Sequence, residues 1–568
     1  MQSKIGNSRK TDILIIVGIF LFALSVRVIY LNQIKTSPLF IPSGATLDEH
    51  LYDSWAKEIA FKDPIGKEAF WGLPLYPYFL ALVYKLFGAN VYIAKLIQFI
   101  LGSLSCVFLY IIGKKVFNRP VGIISALTLS LYNAAIFYEG FLVSTSLSIL
   151  LNCLLILLIL SFAGKLNYKR SAMLGIAFGL CGLATPSIFL FIPFMAALFW
   201  RNIRQILLMV FLCCLVIAPV TIRNYVLEKD FIPITAHTGI TFFSGNNPMS
   251  DGTFKLPLYL GTGITDVRRN SRDIAEKTLG KRLKPSQVSG FWVQQSMKFI
   301  REEPTAYLKL LFRKFLLFWN HYEISDIIDI SFFKKFSGLL RGPLVNYASI
   351  SVFALLGLFM SLKRKNRNRL LLQLFILSNV ISLEIYFINT RYRLPVVPFL
   401  ILFSSYAIYE IYLMVAQKKY VALSYCLGGL IVFGLIVNLK LMESSAEVAY
   451  TNMGLFYQNK QMYKEAIEEY KKALELNPKY PLAHNNLGIL YKKSGRFDEA
   501  IKEYETAISL DPGYLNPCYN LGLLYLERGQ LDKAAEYFEK ALTINPDFTE
   551  AKDKLAACRR SVQNLKSP

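Results

Sequence analysis

The sequence predicts an all-α polytopic membrane protein that ends in an α-helical repeat domain. Of its 568 residues, 54% are hydrophobic and only 18% are charged, and the mean hydropathy is +0.39. A soluble domain carries about 25% charged residues, so much of this surface must face lipid. From residue 443 onward the long apolar runs stop and a 34-residue period begins. We therefore expect a membrane domain at 1–442 and a repeat domain at 443–568.

The net charge of +24 raises the question of nucleic-acid binding. From Glu443 to the end, however, 17 basic residues are balanced by 18 acidic ones, so the excess lies in the hydrophobic part. Much of it sits in short loops such as 363–369. This is the positive-inside pattern of a membrane protein rather than a groove for phosphodiester backbones. We predict membrane lipid as a partner and no nucleic acid.

Apolar segments of about 20 residues cross a bilayer. We predict them near 12–32, 89–112, 120–138, 141–163, 171–200, 205–222, 342–362, 370–389, 396–416 and 420–440. The stretch 171–200 is broken at Thr185-Pro186 and counts as two short helices, which gives about eleven spans. A cleaved signal peptide is the alternative for the first segment, but the run is long and no Ala-x-Ala site follows it.

The short basic loops assign the sides of the membrane. With eleven spans they all fall on the side of the N-terminus, as the positive-inside rule requires. The long loops 33–88 and 223–341, together with the repeat domain, are then extracytoplasmic. Segment 305–320 carries Lys309, Arg313 and Lys314 beside aromatic residues, and we expect an interfacial helix that lies on the membrane.

The C-terminal period consists of three repeats at 446–480, 481–514 and 515–548, followed by a closing helix. Small residues, aromatic residues and prolines recur 34 positions apart, for example Gly454, Gly488 and Gly522; Tyr470, Tyr504 and Phe538; Pro478, Pro512 and Pro546. This pattern is typical of tetratricopeptide (TPR) repeats, in which small residues mark the contact between two helices and proline ends the second helix. Such repeats are binding modules, so we expect a protein partner.

Acidic residues gather in the first outer loop, where Asp48 and Glu49 follow the first span. A carboxylate at the membrane surface is suited to removing a proton from an acceptor hydroxyl. The alternative is a plain helix N-terminus, where the helix dipole favours acidic residues. The predicted spans are nearly free of Asp and Glu, which disfavours a transporter.

An ordered set of motifs runs through the membrane domain. It comprises Arg27-Val28-Ile29-Tyr30-Leu31, Ser37-Pro38, Asp48-Glu49, Pro74-Leu75-Tyr76-Pro77, Phe137-Tyr138-Glu139-Gly140, Arg223-Asn224-Tyr225, Gly245-Asn246-Asn247-Pro248, Tyr322-Glu323-Ile324 and Arg391-Tyr392-Arg393-Leu394-Pro395. The set resembles the GT-C glycosyltransferases, polyprenyl-phosphate-sugar-dependent membrane enzymes that include the protein O-mannosyltransferases (family 39). With the TPR repeats, it resembles the transmembrane-and-TPR O-mannosyltransferases and bacterial relatives of that layout.

The resemblance implies a catalytic base in the acidic pair, here Asp48, with Glu49 as acceptor orienter or substitute base. It also implies a polyprenyl-phosphate sugar as co-substrate. A phosphate leaving group needs cations, for which we expect Arg391 and Arg393 first and Arg223 second. Interfacial anchoring is the alternative role of these arginines.

Four further residues are candidates for substrate binding, namely Glu139, Asn246, Asn247 and Tyr392. Glu139 has capping of the following helix as its alternative, and Gly-Asn-Asn-Pro is also an ordinary turn sequence. His237 and His321 are lone histidines without ligand spacing. We expect no metal and no cofactor.

The sequence thus predicts a membrane glycosyltransferase that moves mannose or another hexose from a polyprenyl phosphate to an acceptor hydroxyl, with inversion. The acceptor is a protein or a glycolipid, and the TPR repeats bind the acceptor protein or a partner. The alternative is a non-catalytic membrane scaffold that uses its TPR repeats to assemble envelope proteins. We expect a bacterial inner membrane as the location.

Overall fold

The structure is a computed structural model that describes residues 2–37, 40–42, 48–162, 166–261, 263–325, 330–362, 366–442, 446–546 and 548–566. The described residues form helices and no strand, apart from an isolated bridge between Tyr132 and Val345. The predicted all-α class is therefore confirmed. Residues 38 and 43–47 of the first loop, and the basic residues 363–365, lie outside the described part.

The chain divides into two compact units, Met1–Leu256 with Gly263–Leu441, and Pro257–Thr262 with Met442–Pro568. The N-terminal half of the first unit contains α1 Gln2–Ile34, α2 Asp48–Phe61, α3 Leu75–Phe87, α4 Val91–Val116, α5 Arg119–Ser130, α6 Asn133–Glu139, α7 Thr145–Phe162, α8 Tyr168–Ala184, α9 Phe191–Leu198 and α10 Ile203–Glu228. Its remainder contains α11 Thr238–Gly245, α12 Ile264–Leu279, α13 Pro285–Glu302, α14 Pro304–Trp319, α15 Ile330–Phe333, α16 Gly338–Arg341, α17 Tyr347–Leu362, α18 Arg367–Ile385, α19 Thr390–Arg393, α20 Val397–Ala416 and α21 Tyr420–Val437.

Seven helices among the described residues are long and apolar enough to cross a membrane: Lys10–Ile34, Val91–Val116, Thr145–Phe162, Trp200–Glu228, Arg367–Ile385, Val397–Ala416 and Tyr420–Val437. The predicted count of eleven is not confirmed. The segment predicted at 120–138 is broken because the backbone around Tyr132 pairs with Val345. The segment at 171–200 is divided at Pro186, which cannot continue a helix. Helix α17 has only 16 residues.

A buried ion pair joins two distant parts of the first unit. Arg27 of α1 donates from Nε to Glu139 Oε2 at 2.6 Å and from Nη2 to Oε1 at 3.2 Å. Both side chains are buried, with exposed fractions of 0% and 1%. Gly102 of α4 lies against the Glu139 carboxylate, and a Cβ atom there would overlap it. The pair therefore fixes where α6 ends against α1 and α4.

Helix α14 corresponds to the predicted interfacial segment, and that prediction is wrong for Lys314. This side chain is buried and its Nζ donates to Asn246 Oδ1, to the Glu384 carbonyl and to the Tyr386 carbonyl, at 2.9, 3.0 and 2.7 Å. Three acceptors replace the water that the ammonium group loses, so the lysine anchors α14 within the protein. Lys309 is exposed, as expected.

The second unit contains the repeats as three helix pairs and a closing helix. They are α22 Ala446–Asn459 with α23 Tyr463–Leu476, α24 Pro481–Lys493 with α25 Phe497–Leu510, α26 Leu515–Glu527 with α27 Leu531–Ile544, and α28 Thr549–Lys566. The recurring glycines lie where the paired helices touch, because a Cβ atom at Gly454, Gly488 or Gly522 would collide with the aromatic ring of the partner helix. The small residues predicted at the contact between paired helices are thus present in each repeat, and each one faces an aromatic ring.

We expect Gly102→Ala to destabilise the first unit, because the added methyl group forces the Glu139 carboxylate away from Arg27. Separating a buried ion pair costs about 3 kcal/mol, which is measurable as a lower midpoint of thermal unfolding in detergent.

Gly18→Ala in α1 is the matched control, since no heavy atom lies within 4 Å of its added Cβ. Alanine favours the helix there by up to about 1 kcal/mol. Equal unfolding midpoints for the two variants would contradict the proposed contact.

Candidate functional site

The candidate site forms where the start of α2 meets the short helix α19. Arg391 Nη1 lies 2.5 Å from Asp48 Oδ2, and the two side chains are 11% and 28% exposed. The residues are 343 positions apart in the sequence, so the fold brings together two of the predicted site residues. Asp48 is the first residue of α2, where the helix dipole adds to the attraction of the guanidinium group for its carboxylate. The result is a carboxylate paired with an arginine at a partly exposed surface.

The turn that carries Arg391 is fixed by its neighbours. Asn389 caps α19 by accepting a hydrogen bond from the Tyr392 amide at 2.7 Å. Glu323 accepts from Thr390 Oγ1 at 2.9 Å and from Arg393 Nη2 at 3.0 Å. Arg391 is therefore held in place by residues on both sides of it.

Arg393 makes its contacts away from the Asp48 carboxylate. It is 1% exposed, donates to the carbonyls of Phe318 and Asn320, and packs its guanidinium group 3.4 Å from the centre of the Tyr347 ring. Glu323 accepts hydrogen bonds from Arg393 and Thr390, and it accepts a further one from the Tyr132 hydroxyl. This geometry corresponds to an anchoring role, and phosphate binding by Arg393 stays a prediction.

Aromatic side chains and a histidine lie near the Asp48–Arg391 pair. Tyr392 is 37% exposed, and its ring centre lies 5.1 Å from the Arg391 guanidinium carbon. His237 packs against Trp71 at a ring-centre distance of 5.8 Å. Burial lowers the pKa of His237 to about 4, and the Asp48 carboxylate opposes this shift. Sequence reasoning treated His237 as a lone histidine, because nothing in its spacing reveals that the fold places it near Asp48.

Glu49 has a different environment from its neighbour Asp48. It is 3% exposed, lies 3.2 Å from Lys95 Nζ and accepts a hydrogen bond from the Leu142 amide at 3.0 Å. Burial raises the pKa of Glu49, and Lys95 opposes the shift. Lys95 also donates to the Phe40 carbonyl at 2.7 Å. Glu49 therefore ties the first loop to α4, and its predicted roles in catalysis stay predictions.

Arg223 also holds the first loop. Its Nε donates to the Ile65 carbonyl at 2.5 Å, its Nη2 donates to the Glu68 carbonyl at 3.1 Å, and its guanidinium group stacks on Phe70 at 3.9 Å. Of the alternatives open for Arg223, this geometry favours anchoring over phosphate binding.

The remaining predicted substrate-binding residues are buried inside the fold. Glu139 pairs with Arg27, as described above. Asn246 donates to the carbonyls of Phe242 and Ile385 and accepts from Lys314. Asn247 donates to the Phe243 and Lys255 carbonyls and accepts from the Met249 amide. For both asparagines the geometry favours the turn interpretation, and the structure does not bring them to the Asp48–Arg391 pair.

A second candidate site is the groove of the repeat domain. It has a volume of about 340 Å³, and its lining includes Asn452, Asn486 and Asn520, which are 34 residues apart. Asn520 Nδ2 donates to Asn485 Oδ1, and Asn485 Nδ2 donates to Asn486 Oδ1. The described residues that line this groove are uncharged. Carboxamides both donate and accept, so the groove is suited to the main chain of an extended peptide.

We expect acidification to destabilise the wild type through His237. Its folded-state pKa of about 4 lies below the ordinary value of 6.5, so this contribution is complete above pH 6.5 and is lost as the pH falls towards 4. The full difference is about 3 kcal/mol.

His237→Gln cannot take up this proton, so its thermal unfolding midpoint should fall less than that of the wild type between pH 6.5 and 4. His321→Gln is the control, because His321 is exposed. The same pH dependence in the wild type and in His237→Gln would show that burial of His237 does not lower its pKa.

Comparisons with known proteins agree with both parts of the chain. Residues 69–222 match the family model described as dolichyl-phosphate-mannose-protein mannosyltransferase. Residues 454–495 match a TPR repeat model, and 481–514 and 516–548 match a tetratricopeptide repeat model. A search of curated proteins found no match. Asp48, Glu49 and Arg391 lie outside the matched residues, so the match supports the type of enzyme and leaves their roles to be tested.

Several solved structures are similar to the chain. The Sgt2 TPR domain from Aspergillus fumigatus is 23% identical over 22% of this chain and 88% of that chain, with a TM-score of 0.21. The Arabidopsis OM64 TPR domain is 19% identical over 20% and 96%, with a TM-score of 0.20. The first TPR domain of human RPAP3 is 22% identical over 21% and 94%, with a TM-score of 0.20. The family matches confirm the resemblance inferred from the sequence: the N-terminal part of the chain matches the model of the dolichyl-phosphate-mannose-protein mannosyltransferases, and its C-terminal part matches tetratricopeptide repeats.

Proposed function

We propose that the protein transfers a sugar from a polyprenyl-phosphate donor to an acceptor hydroxyl, with Asp48 as the general base. The observation that carries this proposal is the ion pair between Asp48 and Arg391, which places a carboxylate beside a cation at a partly exposed surface. A glycosyl transfer from a lipid phosphate needs both groups at one place, a base for the acceptor and a positive charge for the leaving phosphate. The mannosyltransferase match of residues 69–222 supports this type of reaction.

The proposed reaction is a direct displacement. The Asp48 carboxylate takes the proton of the acceptor hydroxyl while the acceptor oxygen attacks the anomeric carbon of the donor sugar. The bond from that carbon to the phosphate oxygen breaks, its electron pair stays on the polyprenyl phosphate, and the anomeric configuration inverts. Arg391 stabilises the negative charge that develops on the departing phosphate.

The ion pair also has a consequence for the order of binding. In the structure the Asp48 carboxylate pairs with the guanidinium group of Arg391, to which the donor phosphate has to bind in this mechanism. When the phosphate binds Arg391, it competes with Asp48 and leaves the carboxylate available to the acceptor. Tyr392 packs against Arg391, where it is in place to contact the donor sugar. Arg393 and Arg223 contribute by holding the turn of α19 and the first loop.

We further propose that the reaction takes place on the extracytoplasmic side of a bacterial inner membrane. The concentration of basic residues in short loops supports this orientation. On this assignment residues 1–442 are the catalytic membrane domain and residues 443–568 face the same side. Arg391 supplies the positive charge for the leaving group, so the proposed mechanism uses no metal and no cofactor.

The second candidate function is a non-catalytic scaffold, and the uncharged groove of the repeat domain is the observation that favours it. The two functions separate in one measurement. An enzyme consumes a polyprenyl-phosphate sugar and forms a covalent product, whereas a scaffold retains its protein partners and consumes no sugar.

Asp48→Asn should lower sugar transfer about 10²–10⁴-fold, because the amide cannot accept the proton of the acceptor. The measurement is transfer of a radiolabelled sugar from polyprenyl phosphate by the purified full-length protein in detergent. Thermal unfolding should change little, since a partly exposed ion pair contributes about 1 kcal/mol or less.

Glu58→Gln is the matched control, because Glu58 lies on the same helix α2 and is outside the site. It should leave transfer unchanged. Normal transfer by a folded Asp48→Asn protein would remove Asp48 from the mechanism.

Asn452→Ala together with Asn520→Ala should weaken binding of a protein partner to the repeat domain about tenfold, because each lost carboxamide removes hydrogen bonds to a peptide main chain. Lys502→Ala is the control, since Lys502 is exposed and does not line the groove. Binding is measured with the full-length protein in detergent on an immobilised partner. Equal retention by both proteins would show that the partner binds elsewhere.

A further inference from the structure

A cavity of about 360 Å³ lies in the first unit beside the tip of the first loop. Residues 68–71 of that loop, the end of α10 at Glu228, and helices α12 and α13 enclose it. None of its lining residues was predicted to be a site residue. The volume is in the range of sites for small ligands, which are about 300–1,000 Å³. The cavity therefore has room for a compact ligand rather than for an extended chain.

The charges around the cavity balance. Three arginines (Arg268, Arg269 and Arg272) and three carboxylates (Glu68, Glu228 and Asp273) line it. Arg268 forms two hydrogen bonds of 2.5 Å with Glu68, so this pair neutralises itself. Glu228 accepts a hydrogen bond from the Ala69 amide at 3.0 Å. A charged ligand would meet no net opposite charge here, whereas a neutral ligand with many hydroxyl groups would find both donors and acceptors.

Two indole rings complete the lining. Trp292 is buried, and its Nε1 donates to the Ser271 carbonyl at 3.1 Å, which fixes the ring. Trp71 is partly exposed and has the Arg268 guanidinium group 5.6 Å from its ring centre. An indole offers a flat apolar face to which the C–H face of a sugar ring packs, while the surrounding charged groups bond its hydroxyls. The chemistry of the lining fits a neutral pyranose.

The cavity is adjacent to the candidate base. Ala236 lines it, and the next residue, His237, packs against Trp71. The Asp48 charge acts on His237, so His237 is a neighbour both of the cavity lining and of the candidate base. Arg391 lies in contact with Asp48 and Tyr392 and is not among the cavity residues. A ligand in the cavity therefore approaches Asp48 from a part of the site that Arg391 does not line.

We propose that this cavity binds a pyranose ring of the acceptor, so that the enzyme extends an acceptor that already carries a sugar. The assignment of the bound pyranose to the acceptor rests on the proposed function. Binding of a pyranose to the cavity can be tested without it. The donor sugar stays attached to the phosphate at Arg391, and the acceptor hydroxyl must reach Asp48. The cavity is placed to hold the ring next to that hydroxyl.

The test measures binding and turnover separately with the full-length protein in detergent. Binding of a panel of radiolabelled methyl pyranosides is measured by equilibrium dialysis without any lipid donor. Turnover is measured as release of sugar from polyprenyl phosphate, both to water and to acceptors with and without a terminal sugar. The variants are Arg272→Gln and Asp273→Asn. Both side chains are exposed and line the cavity, so these substitutions leave the buried core intact. Arg301→Gln, exposed on α13 and outside the cavity, is the matched control.

At least one methyl pyranoside should bind the wild type and the Arg301→Gln control equally, and should bind the two cavity variants at least tenfold more weakly. The cavity variants should also raise the KM of a sugar-bearing acceptor about tenfold, while the hydrolysis of the donor stays unchanged.

Three results would overturn the inference. Absence of pyranoside binding, or equal binding by all variants, would show that the cavity is not a pyranose site. Binding of an unglycosylated Ser/Thr peptide that is lost in the cavity variants assigns the cavity to a bare protein acceptor. Slower donor hydrolysis in the cavity variants assigns it to the donor sugar. If pyranoside binding follows the expectation but Asp48→Asn transfers sugar normally, the proposed base fails and the binding site stands.

Discussion

The fold of the first unit depends on ion pairs between charged side chains that are buried away from water. Arg27 pairs with Glu139, Lys95 with Glu49 and Arg393 with Glu323, and in each pair the basic side chain is at most 1% exposed. Removing one partner of such a pair costs about 3–5 kcal/mol, because the other charge is left buried and unpaired. Since the partners lie 46 to 112 residues apart, each pair fixes a contact between distant parts of the chain.

Two of these pairs support the candidate site from opposite sides. Glu49 holds the start of α2 against α4, and Glu323 holds α19 through Thr390 and Arg393. Asp48 and Arg391 are each the sequence neighbour of an anchored residue, so their positions follow from those anchors. This is the arrangement that a precise site needs, in which the reacting groups rest on partners that are already satisfied.

The sequence predicted the type of fold and the two residues of the central ion pair, but not most of their surroundings. Hydrophobic length found the first and last spans, and it failed at 120–138 because a backbone bridge at Tyr132 interrupts the helix without any change in hydropathy. Residue type suggested Asn246 as a sugar ligand, yet its burial against Lys314 is a tertiary contact that no local pattern contains. His237 was missed for the same reason. The roles predicted for Asp48 and Arg391 came from the order of the motifs along the chain.

The neighbouring carboxylates Asp48 and Glu49 lie in two different environments. Successive residues of a helix point about 100° apart, so one carboxylate of an adjacent pair faces the protein when the other faces outward. Glu49 takes the inner position, where burial raises its pKa and Lys95 and the Leu142 amide occupy it. Glu49 is therefore much less accessible than Asp48. Asp48 takes the outer position, where it pairs with Arg391 and 28% of its side chain is exposed. The contacts that anchor Glu49 inside the protein thus also hold Asp48 in its accessible position. The two acids depend on each other because their environments differ.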